Sequence, residues 1–230
     1  MFVKSFSLKS FVKEMLVNLT EIAGYGSTHP WRGMERLAFE QTVAFINEHC
    51  PRAIGVASQR KLFKLALPQV GDGDLYLEFG VYTGGSINYL ARKLPGRAIH
   101  GFDSFQGLPE DWLTFRADYF SLGGRPPKVR DNVILHQGWF DETLPQFVDI
   151  HPGKVAFLHI DCDTYGSTKT LFDHLGPRLV PGSVIVFDDY FNQPGWQEDG
   201  HKAFGEFLAT SDLEPEYIGY AYKELAVRLK

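Results

Sequence analysis

Apolar residues recur at three- and four-residue spacing in Phe6–Leu19, Glu35–His49 and Ala57–Leu67, which predicts helices in those three stretches. Gly24 to Trp31, between the first two, is a loop by composition. The pattern changes at the turn Gly71-Asp72-Gly73-Asp74. Beyond it, short continuous apolar runs at Leu75–Phe79, Ala98–Phe102, Val133–His136, Val155–Ile160 and Ser183–Phe187 alternate with helical patterns at Ser86–Lys93, Leu144–Asp149 and Ser167–Leu175. Runs apolar at every position suit strands buried on both faces, and their alternation with helices predicts a parallel sheet between two helical layers. The chain closes with a helix over His201–Ala209 and two extended segments, Glu216–Tyr222 and Glu224–Leu229, read as an antiparallel hairpin. Leu113 to Asp131, with Pro126-Pro127 inside it, carries neither period and is read as a functional loop or lid. The expected organisation is a helical N-terminal extension or lid over residues 1–70 and an α/β domain over 71–230.

Composition narrows this picture. With 230 residues, 44% of them hydrophobic, the chain can bury one α/β core without staples. A net charge of −5 and the lack of a basic stripe argue against nucleic-acid binding. No run approaches the ~20 apolar residues of a membrane span. Met1 to Leu19 is basic and amphipathic, without a signal-peptide core, and reads as a helix packed on the domain or on a partner subunit, with a membrane-surface helix as the alternative. Cys50 and Cys162 each sit in an apolar stretch with no metal or redox spacing, so both are expected to be buried free thiols, consistent with a cytoplasmic protein.

The first chemical signal is Glu78-Phe79-Gly80-Val81-Tyr82-Thr83-Gly84-Gly85-Ser86, a turn between a strand and a helix. Glycines allow a sharp turn and close approach to a ligand, and the helix N-terminus offers free N–H groups. The spacing is neither the Gly-x-Gly-x-x-Gly dinucleotide pattern nor a Gly-Lys-Ser/Thr phosphate loop. The acid Glu78 suits an ammonium or hydroxyl group better than a pyrophosphate. S-adenosylmethionine, which has an amino-acid end and a ribose and no phosphate, fits these features. About twenty residues on, Asp103 ends the next strand, where a carboxylate can accept bonds from ribose hydroxyls.

Two further strand ends carry Asp161-Cys162-Asp163 and Asp188-Asp189. In a parallel sheet all these acids gather at one edge, where they require a cation or raised pKa values. Oxygen ligands suit Mg²⁺. Such an ion could lower the pKa of a substrate hydroxyl while a nearby carboxylate takes the proton. Helix capping is the competing role, above all for Asp163. His159 reads as a core histidine ahead of a base, and His201 as either a substrate neighbour or a solvated helix-start residue. Gly138-Trp139-Phe140 could cover an adenine ring or belong to the core.

The stretch Glu78–Ser86, the string Gly101-Phe102-Asp103-Ser104-Phe105-Gln106-Gly107-Leu108-Pro109-Glu110-Asp111-Trp112, the string His159 to Thr168 and Phe187-Asp188-Asp189-Tyr190 together closely resemble the macrocin O-methyltransferase family, over roughly Leu75 to Phe207. The resemblance implies a class I methyltransferase fold, Rossmann-like, with a seven-stranded sheet whose last strand is reversed. It implies S-adenosylmethionine and Mg²⁺ as cofactors. By position it assigns Asp161, Asp188 and Asp189 as metal ligands and Asp163 as the general base. The cofactor set is Glu78, Gly80, Val81, Tyr82, Thr83, Gly84, Ser86, Asp103, Ser104, Phe105, Gly138, Trp139 and Phe140, together with Asp161. A homo-oligomer built through the N-terminal helices and a sugar-containing natural product as acceptor are implied as well. A catechol-like phenol is the alternative acceptor, favoured if the pocket is aromatic and apolar. A non-catalytic S-adenosylmethionine-binding protein and a nicotinamide-dependent oxidoreductase are the readings from other classes. The four aspartates speak against the former, and the missing dinucleotide glycines against the latter.

Overall fold

The computed structural model describes residues 29–230. The expected helix Phe6–Leu19 lies outside the described residues. Within them the chain forms helix α1 (Pro30–His49), strand β1 (Ile54–Gly55), α2 (Gln59–Ala66), β2 (Leu75–Phe79), α3 (Gly85–Lys93), β3 (Ile99–Asp103) and β4 (Val133–Gln137). Then follow α4 (Phe140–Ile150), β5 (Val155–Ile160), α5 (Tyr165–Leu175), β6 (Val184–Phe187), α6 (Gly200–Thr210), β7 (Pro215–Tyr220) and β8 (Leu225–Leu229). No α-helix or β-strand lies between β3 and β4, so the expected loop over 113–131 is present.

The strands form one sheet in the order β1-β7-β8-β6-β5-β2-β3-β4. β8 runs antiparallel to both β6 and β7, and every other pairing is parallel. The terminal hairpin and the reversed last strand are therefore as expected. The sheet has eight strands and not seven, because Ile54–Gly55 adds a short parallel edge to β7. Two paired residues are too short to leave a periodic signal.

Pleating divides the core in two. Leu77, Phe79, Leu158, Ile160, Ile185 and Phe187 face α4, α5 and α6, where Leu144, Phe147, Leu171, Phe172 and Phe204 pack on them. Tyr76, Phe157, Val184, Val186 and Ala226 face α2 and α3, which contribute Leu62, Phe63, Ala66, Ile87 and Leu90. Phe63 is fully buried, and removing a side chain of that size costs ~3–5 kcal/mol. Two helix starts differ from the periodic reading. α1 begins at Pro30, five residues early, because proline fits the first helical position and His29 Nδ1 accepts from Trp31 N at 3.2 Å. α4 begins at Phe140, ahead of an internal Pro145 that obscures the helical pattern, with Trp139 N donating to Glu142 Oε2 at 3.4 Å.

Candidate active site

The C-terminal ends of β2, β3, β5 and β6 open into a cavity of about 870 Å³. On one side it is lined by Gly80, Tyr82, Asp103, Ser104, Trp139 and Phe140, and on the other by Asp161, Asp163, Asp188 and Asp189. Open parallel sheets place ligands at this edge. A smaller cavity of about 270 Å³ adjoins it, where Val81, Tyr82, Thr83, Ser86 and Asp161 meet Gln59 and Arg60 of α2.

Local physics fixes the loop after β2. Gly80 has φ +87°, and a Cβ there would lie 1.7 Å from the carbonyl oxygen of Asp161, so only glycine fits between the two strand ends. Gly84 caps α3 in the left-handed conformation. Glu78 is fully buried: Ser86 Oγ donates to its Oε1 at 2.9 Å, and His159 Nδ1 lies 2.9 Å from its Oε2. Asp103 Oδ2 accepts from Val81 N at 2.8 Å and Tyr82 N at 2.7 Å, and its Oδ1 from Phe105 N at 2.7 Å. Asp103 thus organises the loop and keeps acceptor capacity on Oδ1 alone. Phe105 does not line either cavity: its side chain is core, with φ +56°. Gly107 is required in the same string, since a Cβ would meet Ala117 O at 2.1 Å.

The four aspartates fall into two groups that share Asp161. One ligand atom each from Asp161, Asp163 and Asp189 lie within 4.8 Å of one another, as do atoms from His159, Asp161 and Asp188. Burial and the neighbouring carboxylates, Asp188 before Asp163 and Asp189, hold Asp161 well above the usual carboxylate range. Asp163 is raised by burial and by Asp189. Asp188 is pushed up to about 6, chiefly by burial. Lys223, in the β7–β8 turn, is 3.0 Å from Asp189 Oδ1. Gln59 donates to Asp188. Asp163 does not cap α5. Thr164 does so, its side chain accepting from Ser167 N at 3.2 Å, while Asp163 is held at φ +61° facing the cavity.

Other residues resolve differently. His201 Nδ1 lies 3.0 Å from Tyr190 Oη in an aromatic cluster with Phe45 and Trp196, away from both cavities. Cys50 and Cys162 are buried free thiols, as expected. Loop residues Trp112, Phe115 and Phe120 form an aromatic wall of the large cavity, and Tyr222, Lys223 and Glu224 close it from the terminal hairpin. Reading by period passed over these because loops carry none. The Trp-x-x-Phe spacing, a two-residue bridge with rings stacked 6.1 Å apart, was the available signal.

This arrangement, a loop-organised pocket at the edge of a sheet with a reversed last strand, is that of a class I methyltransferase. Residues 77–190 match the methyltransferase domain family. An 8-demethyl-8-(2,3-dimethoxy-α-L-rhamnosyl)-tetracenomycin-C 4'-O-methyltransferase of Streptomyces olivaceus is 32% identical over 142 residues, 51% of this chain and 53% of that one. Mycinamicin III 3''-O-methyltransferase of Micromonospora griseorubida is 30% identical over 144 residues, 51% and 55% of the two chains. The chain thus spans about half the length of the curated relatives it matches. The crystal structure of the calicheamicin methyltransferase CalS11 superposes with a TM-score of 0.60 at 21% identity, covering 99% of this chain and 95% of that one, a likeness of fold. The resemblance drawn from the four motifs is borne out by these relatives. Among the described residues no helix is long and apolar enough to cross a membrane.

Proposed function

We propose that the chain is an S-adenosylmethionine-dependent O-methyltransferase that uses a divalent metal, Mg²⁺ by its oxygen donors, and methylates a hydroxyl of a sugar-containing natural product or related small molecule. One observation carries the reading: a single cavity is lined both by the cofactor-type loop and by the aspartate cluster. S-adenosylmethionine would supply the methyl group, and Tyr82, Asp103, Ser104, Trp139 and Phe140, which line the cavity, would hold its adenosine. The clustered oxygens of Asp161, Asp163 and Asp189 fit a hard cation, and Asp161, Asp188 and Asp189 are the ligands the resemblance assigns. When bound, such an ion acidifies and orients the acceptor hydroxyl. Asp163, which faces the same cavity, takes the hydroxyl proton, the role the resemblance assigns to it. The cavity walls hold acceptor and cofactor in one geometry.

The relatives' rhamnosyl and mycinamicin names support a glycosylated acceptor. The aromatic wall of Trp112, Phe115 and Phe120 favours a flat phenol as the second reading. Exposed Met34, Leu37, Phe39 and Val43 on α1 support a homo-oligomer, and the two free thiols support a cytoplasmic setting. Incubation with methyl-labelled cofactor and a panel of rhamnosides and catechols tests the acceptor class. Label in a rhamnoside hydroxyl is expected, label in catechols alone would favour the second reading, and label in neither would remove both.

A further inference from the structure

The two aspartate groups differ in chemistry. Strand register sets Glu78 beside His159, and His159 beside Val186. The period of two then carries Asp161 and Asp188 to the same side of the sheet as His159. The ladder continues through them, with Asp161 N donating to Phe79 O at 2.8 Å and Asp188 N to Ile160 O at 2.9 Å. Helix α2 covers this side. The Phe63 ring is 4.9 Å from the His159 ring, and Gln59 donates to Asp188.

His159 is fully buried, and its Nδ1 is committed to Glu78. Its Nε2 is buried without any hydrogen-bond partner among the described residues. An orphaned ring nitrogen in a core calls for a ligand. A carboxylate on Nδ1 fixes the tautomer that leaves a lone pair on Nε2, which is how metal-binding histidines are oriented. Ligand atoms of His159, Asp161 and Asp188 already lie within 4.8 Å of one another. Donors bound at ~2.1 Å to one ion sit ~3–4 Å apart, so a small inward movement of the carboxylates completes a site.

We infer that His159, Asp161 and Asp188 form a mixed imidazole–carboxylate site for a divalent transition metal, with Glu78 orienting the histidine. The site shares Asp161 and Asp188 with the ligand set proposed above and takes His159 in place of Asp189. A nitrogen donor favours Mn²⁺, Fe²⁺, Co²⁺ or Zn²⁺ over Mg²⁺. The oxygen-only group of Asp161, Asp163 and Asp189 carries no such preference. The site's existence does not depend on the acceptor or on turnover.

The test is Mn²⁺ titration of the chelator-stripped full chain, followed by electron paramagnetic resonance with detection of nitrogen hyperfine coupling. Bound Mn²⁺ should show imidazole nitrogen coupling. His159→Gln should remove the coupling and weaken Mn²⁺ binding ~10-fold or more, while Asp189→Asn keeps the coupling. Circular dichroism checks that His159→Gln folds. If it does not, Asp188→Asn serves instead and should weaken Mn²⁺ binding by a similar factor. Bound Mn²⁺ without nitrogen coupling, coupling that persists in His159→Gln, unchanged Mn²⁺ affinity in a folded variant, or no Mn²⁺ binding would each overturn the inference. S-adenosylhomocysteine affinity, measured on the same samples, reports separately on the proposed function.

Discussion

Replacing Gly80 by alanine should damage fold and site together. The new methyl group would sit 1.7 Å from Asp161 O, and a carbon–oxygen contact needs ~1.5 Å more than that. The residue also holds φ +87°, where a side chain costs ~1–2 kcal/mol. Overpacking in a close-packed interior adds ~1–3 kcal/mol, giving ~2–5 kcal/mol in all. For a chain of this size that lowers Tm by ~5–20 °C. Relief requires the ends of β2 and β5 to part, which moves Asp161, the residue common to both acidic groups. Thermal unfolding followed by calorimetric titration with S-adenosylhomocysteine reads both effects, and affinity should fall ~10-fold or more. A Gly80→Ala protein with unchanged Tm and unchanged affinity would refute the argument.

Asp163→Asn removes the proposed proton acceptor and keeps the side chain's shape. Turnover should fall ~10²–10⁴-fold with cofactor affinity retained, and normal turnover would reassign the base. Trp112→Ala, which removes part of the aromatic wall, should raise the acceptor KM ~10-fold and leave S-adenosylhomocysteine binding unchanged. Stability should fall on acidification through the histidines of β3 and β4. His100 Nδ1 is 2.9 Å from His136 Nε2, the His151 ring is 4.9 Å away, and burial, His136 and His151 lower His100 to about 4. A histidine depressed on folding contributes no penalty above its unfolded pKa of 6.5 and costs progressively more as pH falls from there to about 4, up to ~3 kcal/mol. Urea unfolding across that range should show the loss, and His100→Phe should flatten it. A wild-type profile with no slope there would contradict the assignment.

Much of the fold and site was legible in the sequence because the strands are continuous apolar runs that stop at acids. That pattern alone sets Glu78, Asp103, Asp161 and Asp188 at one sheet edge. Period could not show that adjacent Asp188 and Asp189 meet different partners, Gln59 on one side and Lys223 on the other, since that depends on where α2 and the terminal turn pack. The contact between Gln59 and Asp188 spans 129 positions and leaves no local trace. Phe105 read as a pocket residue from its motif. The structure buries it because the backbone turns there at φ +56° and sends the ring into the core, beneath a loop tied to Phe105 O through Leu122 N and Gly124 N. The Asp103 carboxylate looked like a free ribose acceptor. Three backbone N–H groups already occupy most of it, a cost of folding a tight loop beside it.

The most direct test of the central claim is calorimetric titration of the metal-stripped protein with S-adenosylhomocysteine, followed by Mg²⁺ titration of the complex. Micromolar cofactor binding and a separate saturable metal event that chelator reverses are expected. Cofactor binding with no metal event would leave a metal-independent methyltransferase, and no cofactor binding would contradict the account.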